Sequence, residues 1–121
     1  MPAAELYVEE FGDRAAPSVV FLHVGVLSGR MWRPQVDLLS DCHCIVPDLP
    51  EQGRSAHVEP FALDDAARRV ERLIEERCSS DGARGRTHVV GLSLGGAVAL
   101  TVLRRRPELV RSVVVSGTAA G

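Results

Sequence analysis

Residues 87–106, THVVGLSLGGAVALTVLRRR, constrain the chain most. Residues 87–92 form an apolar run of the length of a buried strand. Ala97, Leu100, Val102 and Leu103 then follow a helical pattern, with Arg104, Arg105 and Arg106 as a cationic last turn and Pro107 as its stop. Between strand and helix stands Gly91-Leu92-Ser93-Leu94-Gly95. A serine at so sharp a turn needs small neighbours, and Gly91, Gly95 and Gly96 supply them. The N-terminus of the following helix points its free N–H groups and partial positive charge toward the serine. This is the arrangement that presents a serine as a nucleophile. Its plain alternative is a glycine-rich turn whose serine caps a helix.

The rest of the composition narrows the classes. One hundred and twenty-one residues predict a single domain, 1–121, large enough to bury a core. A net charge of −2, with basic residues scattered or at helix ends, makes no case for nucleic acid or a membrane surface. No apolar run approaches spanning length, and the acidic first ten residues are unlike a secretory signal, so the expected location is cytoplasmic. Cys42, Cys44 and Cys78 are odd in number, and Cys42-His43-Cys44 is spaced too tightly for a zinc pair. They read as small apolar residues on or beside strands. No metal or organic cofactor is indicated.

In chain order, residues 6–11 predict a short strand and residues 18–24 a stronger one. The second is apolar on both faces, as a central parallel strand must be. Residues 31–39 predict a short amphipathic helix with Trp32, Val36, Leu38 and Leu39 on or near one face. Residues 42–46 predict a third strand, and 51–60 a polar irregular stretch. Residues 63–78 give the cleanest helix: Ala66, Ala67, Val70, Leu73, Ile74 and Cys78 recur at three- and four-residue steps, behind Asp64 and Asp65. Residues 79–86 predict a loop and 110–116 a last strand. Strands alternating with helices predict an α/β fold with a mostly parallel sheet of about five strands and right-handed crossovers. In such sheets sites form beyond the carboxyl ends of strands. His23-Val24-Gly25, residues 48–55 and Ser93 all fall there.

Taken together, these segments resemble the N-terminal half of an α/β-hydrolase. The resemblance is carried by Phe21-Leu22-His23-Val24-Gly25, Ser28-Gly29-Arg30-Met31-Trp32, Val46-Pro47-Asp48-Leu49-Pro50 and Gly53-Arg54-Ser55. It continues through Leu63-Asp64-Asp65, the Gly91–Ala97 stretch and Arg106-Pro107-Glu108-Leu109-Val110. It implies Ser93 as nucleophile, and the backbone N–H groups of Leu94 and Gly25 as the two donors of an oxyanion hole. It implies supporting roles for His23, which braces the oxyanion loop, for Asp48, which fixes the loop after its strand, and for Gly91 and Gly95. Such groups suit acyl transfer on an ester, lactone or thioester, a small-molecule substrate. A serine at the elbow argues against the dehalogenase and epoxide-hydrolase branches.

The departures from the family pattern also carry expectations. Val24 stands where the family has glycine, which could misplace the Gly25 N–H. Glu51 and Gln52 stand where it reads Gly-His, bringing a negative charge near the oxyanion position. The family order is serine, acid, histidine, with the last two beyond the sixth strand. Residues 110–116 match that sixth strand, so the C-terminal strands, cap, acid and histidine are expected to be lacking. The two hydrolytic readings are then an enzyme truncated or completed by a second chain, and an inactive hydrolase-like module acting through binding or oligomerisation. A lyase or acyltransferase on the same fold is a third. Val113, Val114 and Val115 would lie on an unpaired apolar edge, which predicts self-association.

Overall fold

A computed structural model describes residues 5–78 and 86–118. Five strands form one sheet: β1 (Val8–Phe11), β2 (Ser18–Leu22), β3 (His43–Pro47), β4 (Thr87–Leu92) and β5 (Val110–Ser116), in the spatial order β1-β3-β2-β4-β5. β1 pairs antiparallel to β3, and the remaining pairs are parallel. The fold class read from the alternating pattern is therefore the one observed.

β2 and β3 are buried at every position because both of their faces are covered. Val20, Leu22 and Ile45 face α2 (Leu63–Arg77) and α3 (Leu94–Arg105), packing with Ala66, Val70, Ile74, Val98 and Val102. Val19, Phe21, Cys44 and Val46 face the other way, against Trp32 and Val36. Full burial of each such aliphatic side chain contributes roughly 1.5–3 kcal/mol. Arg105 on α3 donates to the buried Glu71 of α2 and ties the two helices together.

Several boundaries differ from the sequence expectation. β1 begins at Val8 and β2 stops at Leu22, because residues 23–28 turn away to form a loop. The helix expected over 31–39 is a 3-10 turn, Gly29–Trp32, followed by a six-residue α1, Arg33–Leu38. Leu38, expected near its apolar face, is 83% exposed, while Trp32 and Val36 are buried. The stretch 51–60 is less irregular than its polarity suggests: it holds a 3-10 turn, Gly53–Ser55, and buries Ser55 and Val58. The loop expected over 79–86 lies, apart from Arg86, outside the described residues, as do the first four residues and the last three.

Candidate active site

β4 ends at Leu92 and α3 begins at Leu94, so Ser93 alone makes the turn. It does so at φ 55, ψ −114, and it is exposed. A Cβ on Gly91 would lie 2.5 Å from the Gly95 carbonyl oxygen, and one on Gly95 only 2.1 Å from that of Leu22. Both glycines are thus required by close backbone approach. The turn is also held from β5: Ser93 N–H donates to the Ser116 carbonyl at 2.8 Å, and Thr118 Oγ donates to the Ser93 carbonyl at 2.7 Å. Ser116 and Thr118 were missed in the sequence, where nothing marks residues so far along the chain as supports of this turn.

The loop after β2 lies against the same helix end. A Cβ on Gly25 would sit 3.3 Å from Leu94 Cδ2, so the two residues are neighbours. Neither the Gly25 nor the Leu94 N–H has a hydrogen-bond partner among the described residues. Val24, the expected trouble spot, stays out of the left-handed region; the strain falls on Val26 instead, at φ 60. Glu51 does take up the left-handed backbone of the glycine it replaces, at φ 67, and its carboxylate accepts the Phe61 N–H. Val26, Glu51 and Ser93 are the three non-glycine residues with positive φ among those described. They lie just past the carboxyl ends of β2, β3 and β4, and strain of this kind collects at functional sites.

His23 and Asp48 are buried braces in this geometry. His23 Nδ1–H donates to the Val24 carbonyl at 2.6 Å, and Nε2 accepts the Leu49 N–H at 2.9 Å. Burial holds the imidazole below its usual pKa, against the opposing pull of the Val24 carbonyl and Asp48. Asp48 accepts the Gly29 N–H at 2.7 Å and the Arg54 N–H at 2.9 Å, cross-linking the loops after β2 and β3. A Cβ on Gly53, at φ 49, would meet its Oδ2 at 2.5 Å.

A family model for the alpha/beta hydrolase fold matches residues 17–120. The chain belongs to the α/β-hydrolase family. It is 35% identical over 102 residues to an AB hydrolase superfamily protein of Gibberella zeae, covering 83% of this chain and 35% of that one. It is 29% identical over 111 residues to Lipase LipV of Mycobacterium tuberculosis, covering 92% and 41%. A lipase-esterase related protein from Clostridium acetobutylicum superposes with a TM-score of 0.81 at 25% identity, covering 97% of this chain and 48% of that one. The chain thus spans between 35% and 48% of the length of these α/β-hydrolases.

None of the histidines meets Ser93. His88 is at the second position of β4, bonded to Ser112 Oγ at 2.7 Å, five residues and so roughly 16 Å from Ser93. His57 Nε2 lies 2.9 Å from the Glu5 carbonyl, beside the start of β1. β1 and β4 are three strand spacings apart, roughly 14 Å. His43 is buried against Glu10 at 2.7 Å. After Ser93 the 121 residues contain no histidine and one carboxylate, Glu108. Glu108 precedes β5 at the amino end of the sheet and pairs with Arg106. Burial raises the pKa of all three cysteines, Cys44 to about 11, which disfavours the thiolate form that reacts. Among the described residues no three His, Cys, Asp or Glu side chains gather as a metal site.

Proposed function

We propose that this chain carries the nucleophile half of a serine hydrolase acting on an ester, lactone or thioester. The observation that carries this reading is Ser93: exposed, strained at φ 55, alone between β4 and α3, beside a loop whose Gly25 abuts Leu94. In the proposed step the Ser93 hydroxyl attacks the substrate carbonyl carbon and its proton passes to a base. The carbonyl oxygen gains charge between the Gly25 and Leu94 N–H groups, each such donor being worth roughly 3 kcal/mol in the transition state. Collapse expels the alcohol or thiol, and water then releases the acid. His23 cannot be the base, because both ring nitrogens are occupied. The base and its acid are then expected from a second chain or from additional residues in the order the family uses. By themselves the 121 residues hold a serine without the partner that activates it, and serine is a weak nucleophile without one.

Intact-mass spectrometry after fluorophosphonate treatment, beside Ser93→Ala, tests the reading. A single adduct that vanishes in the variant supports an activated Ser93. An adduct that persists in Ser93→Ala, or none where a control hydrolase is labelled, counts against activity in this chain.

A second reading, an inactive module that works by association, is favoured by β5. It lies at the sheet edge, and Val114 is 61% exposed beside an apolar hollow of about 450 Å³ that Phe21, Leu38 and Val90 also line.

A further inference from the structure

Gly25 is gripped on both sides from the segment that follows β3. On its N-terminal side, His23 spans from the Leu49 N–H to the Val24 carbonyl. On its C-terminal side, the Val26 N–H donates to Gln52 Oε1 at 2.7 Å. Gln52 is itself oriented, its main-chain N–H donating to the Leu49 carbonyl at 2.9 Å and its Nε2–H to the Pro50 carbonyl at 3.4 Å. The left-handed backbone of Glu51 makes this possible, with its N–H shared between the Ser55 and Val58 carbonyls at 3.1 and 2.9 Å.

The Gln52 bond has work to do. A β-branched residue at φ 60 is costly, and Val26 is 93% exposed, so no packing holds it there. The other bond at the loop tip, Leu27 N–H to the Val24 carbonyl, is long at 3.4 Å. Released from Gln52, Val26 would relax toward negative φ and swing the peptide joining it to residue 25. A glycine at 25 offers little resistance to passing that rotation to its own N–H.

We infer that Gln52 is a positioning residue that fixes the Gly25 N–H for oxyanion binding; the inference rests on the acyl-transfer reading above. Two signals from the full chain test it: amide exchange and chemical shifts by NMR, and the rate of fluorophosphonate addition to Ser93. Gln52→Ala is expected to speed exchange of the Val26 amide at least tenfold, shift the Gly25 amide resonance and slow labelling about tenfold, with the thermal midpoint nearly unchanged. Gln52→Glu, which keeps an acceptor, is expected to retain Val26 protection. Gln52→Ala with Val26 exchange and the Gly25 resonance unmoved overturns the inference. A wild-type chain that takes no label, as a serine without its base would, counts against activity in this chain alone, and the amide signals then decide the role of Gln52.

Discussion

The Leu22 carbonyl lies so close to Gly95 that a Cβ there would stand 2.1 Å from its oxygen. The first turn of α3 rests directly on the end of β2, and this contact brings Ser93 beside the loop carrying Gly25. Gly95→Ala must therefore push α3 away from the sheet. Overpacking typically costs 1–3 kcal/mol, and the atoms met here are backbone, so a loss of about 3 kcal/mol is expected in urea unfolding. At Gly25 a Cβ meets only the movable end of Leu94, at 3.3 Å, and Gly25→Ala should cost about 1 kcal/mol or less. Equal losses for the two variants would contradict this account.

His23 makes stability depend on pH in a defined direction. Its folded pKa is lowered, chiefly by burial, so protons bind the unfolded chain more readily than the folded one. Its contribution is fully present above the unfolded value of about 6.5 and is lost as pH falls below it toward the folded value. Protonation would also turn Nε2 into a donor facing the Leu49 N–H. Urea midpoints at pH 7.5 and 5.5 should differ more for the wild-type chain than for His23→Gln. The other three histidines are common to both proteins and cancel in that difference.

Much of this was legible in the sequence because local pattern and tertiary demand agree there. β4 and β5 have the predicted bounds, since an apolar run between turn residues leaves little freedom. The glycines at 91 and 95 could be read because only glycine survives such an approach. What was hidden depends on loop path. Val24 was expected to bear the strain, yet Val26 does, because the turn falls two residues later than the family glycine suggests. Gln52 was visible only as a departure, and its bond to Val26, twenty-six residues away, has no sequence signature.

Glu10 fastens the edge strand β1 to the body of the domain. Its carboxylate accepts from the buried His43 at 2.7 Å, from Arg77 of α2, and from Arg14. Partial burial raises its pKa, but these three donors together outweigh that and hold it below the usual carboxylate value. Glu10→Ala leaves the His43 ring without its partner and should cost about 2 kcal/mol. The wild-type contribution is present above about pH 4.5 and fades as pH falls through the lowered folded value. The wild-type advantage over Glu10→Ala in urea should therefore shrink between pH 5 and pH 3; an advantage independent of pH would mean that charge is not what matters at Glu10.

Val26→Asn should stabilise the chain. Asparagine tolerates the left-handed region that valine resists, and removing a side chain 93% exposed sacrifices almost no burial. The gain expected is about 1 kcal/mol in urea unfolding. A loss of stability would mean that the Val26 side chain makes a contact worth more than its strain.

β5 sets the last expectation. Val113 and Val115 alternate onto the α2–α3 core, while Val114 turns to the opposite face beside Phe21 and Val90. Among the described residues the outer side of β5 has no neighbouring strand, and long apolar edges of this kind pair with one another. Concentration-dependent dimers or larger species are therefore expected in size-exclusion chromatography of the chain. Val114→Lys places a charge where a second sheet would extend the apolar face, as natural edge strands do to prevent pairing. It should shift the population to monomer without lowering the thermal midpoint, since Val114 is exposed. A wild-type chain that elutes as monomer at all concentrations would remove both the edge-pairing argument and the associative reading that depends on it.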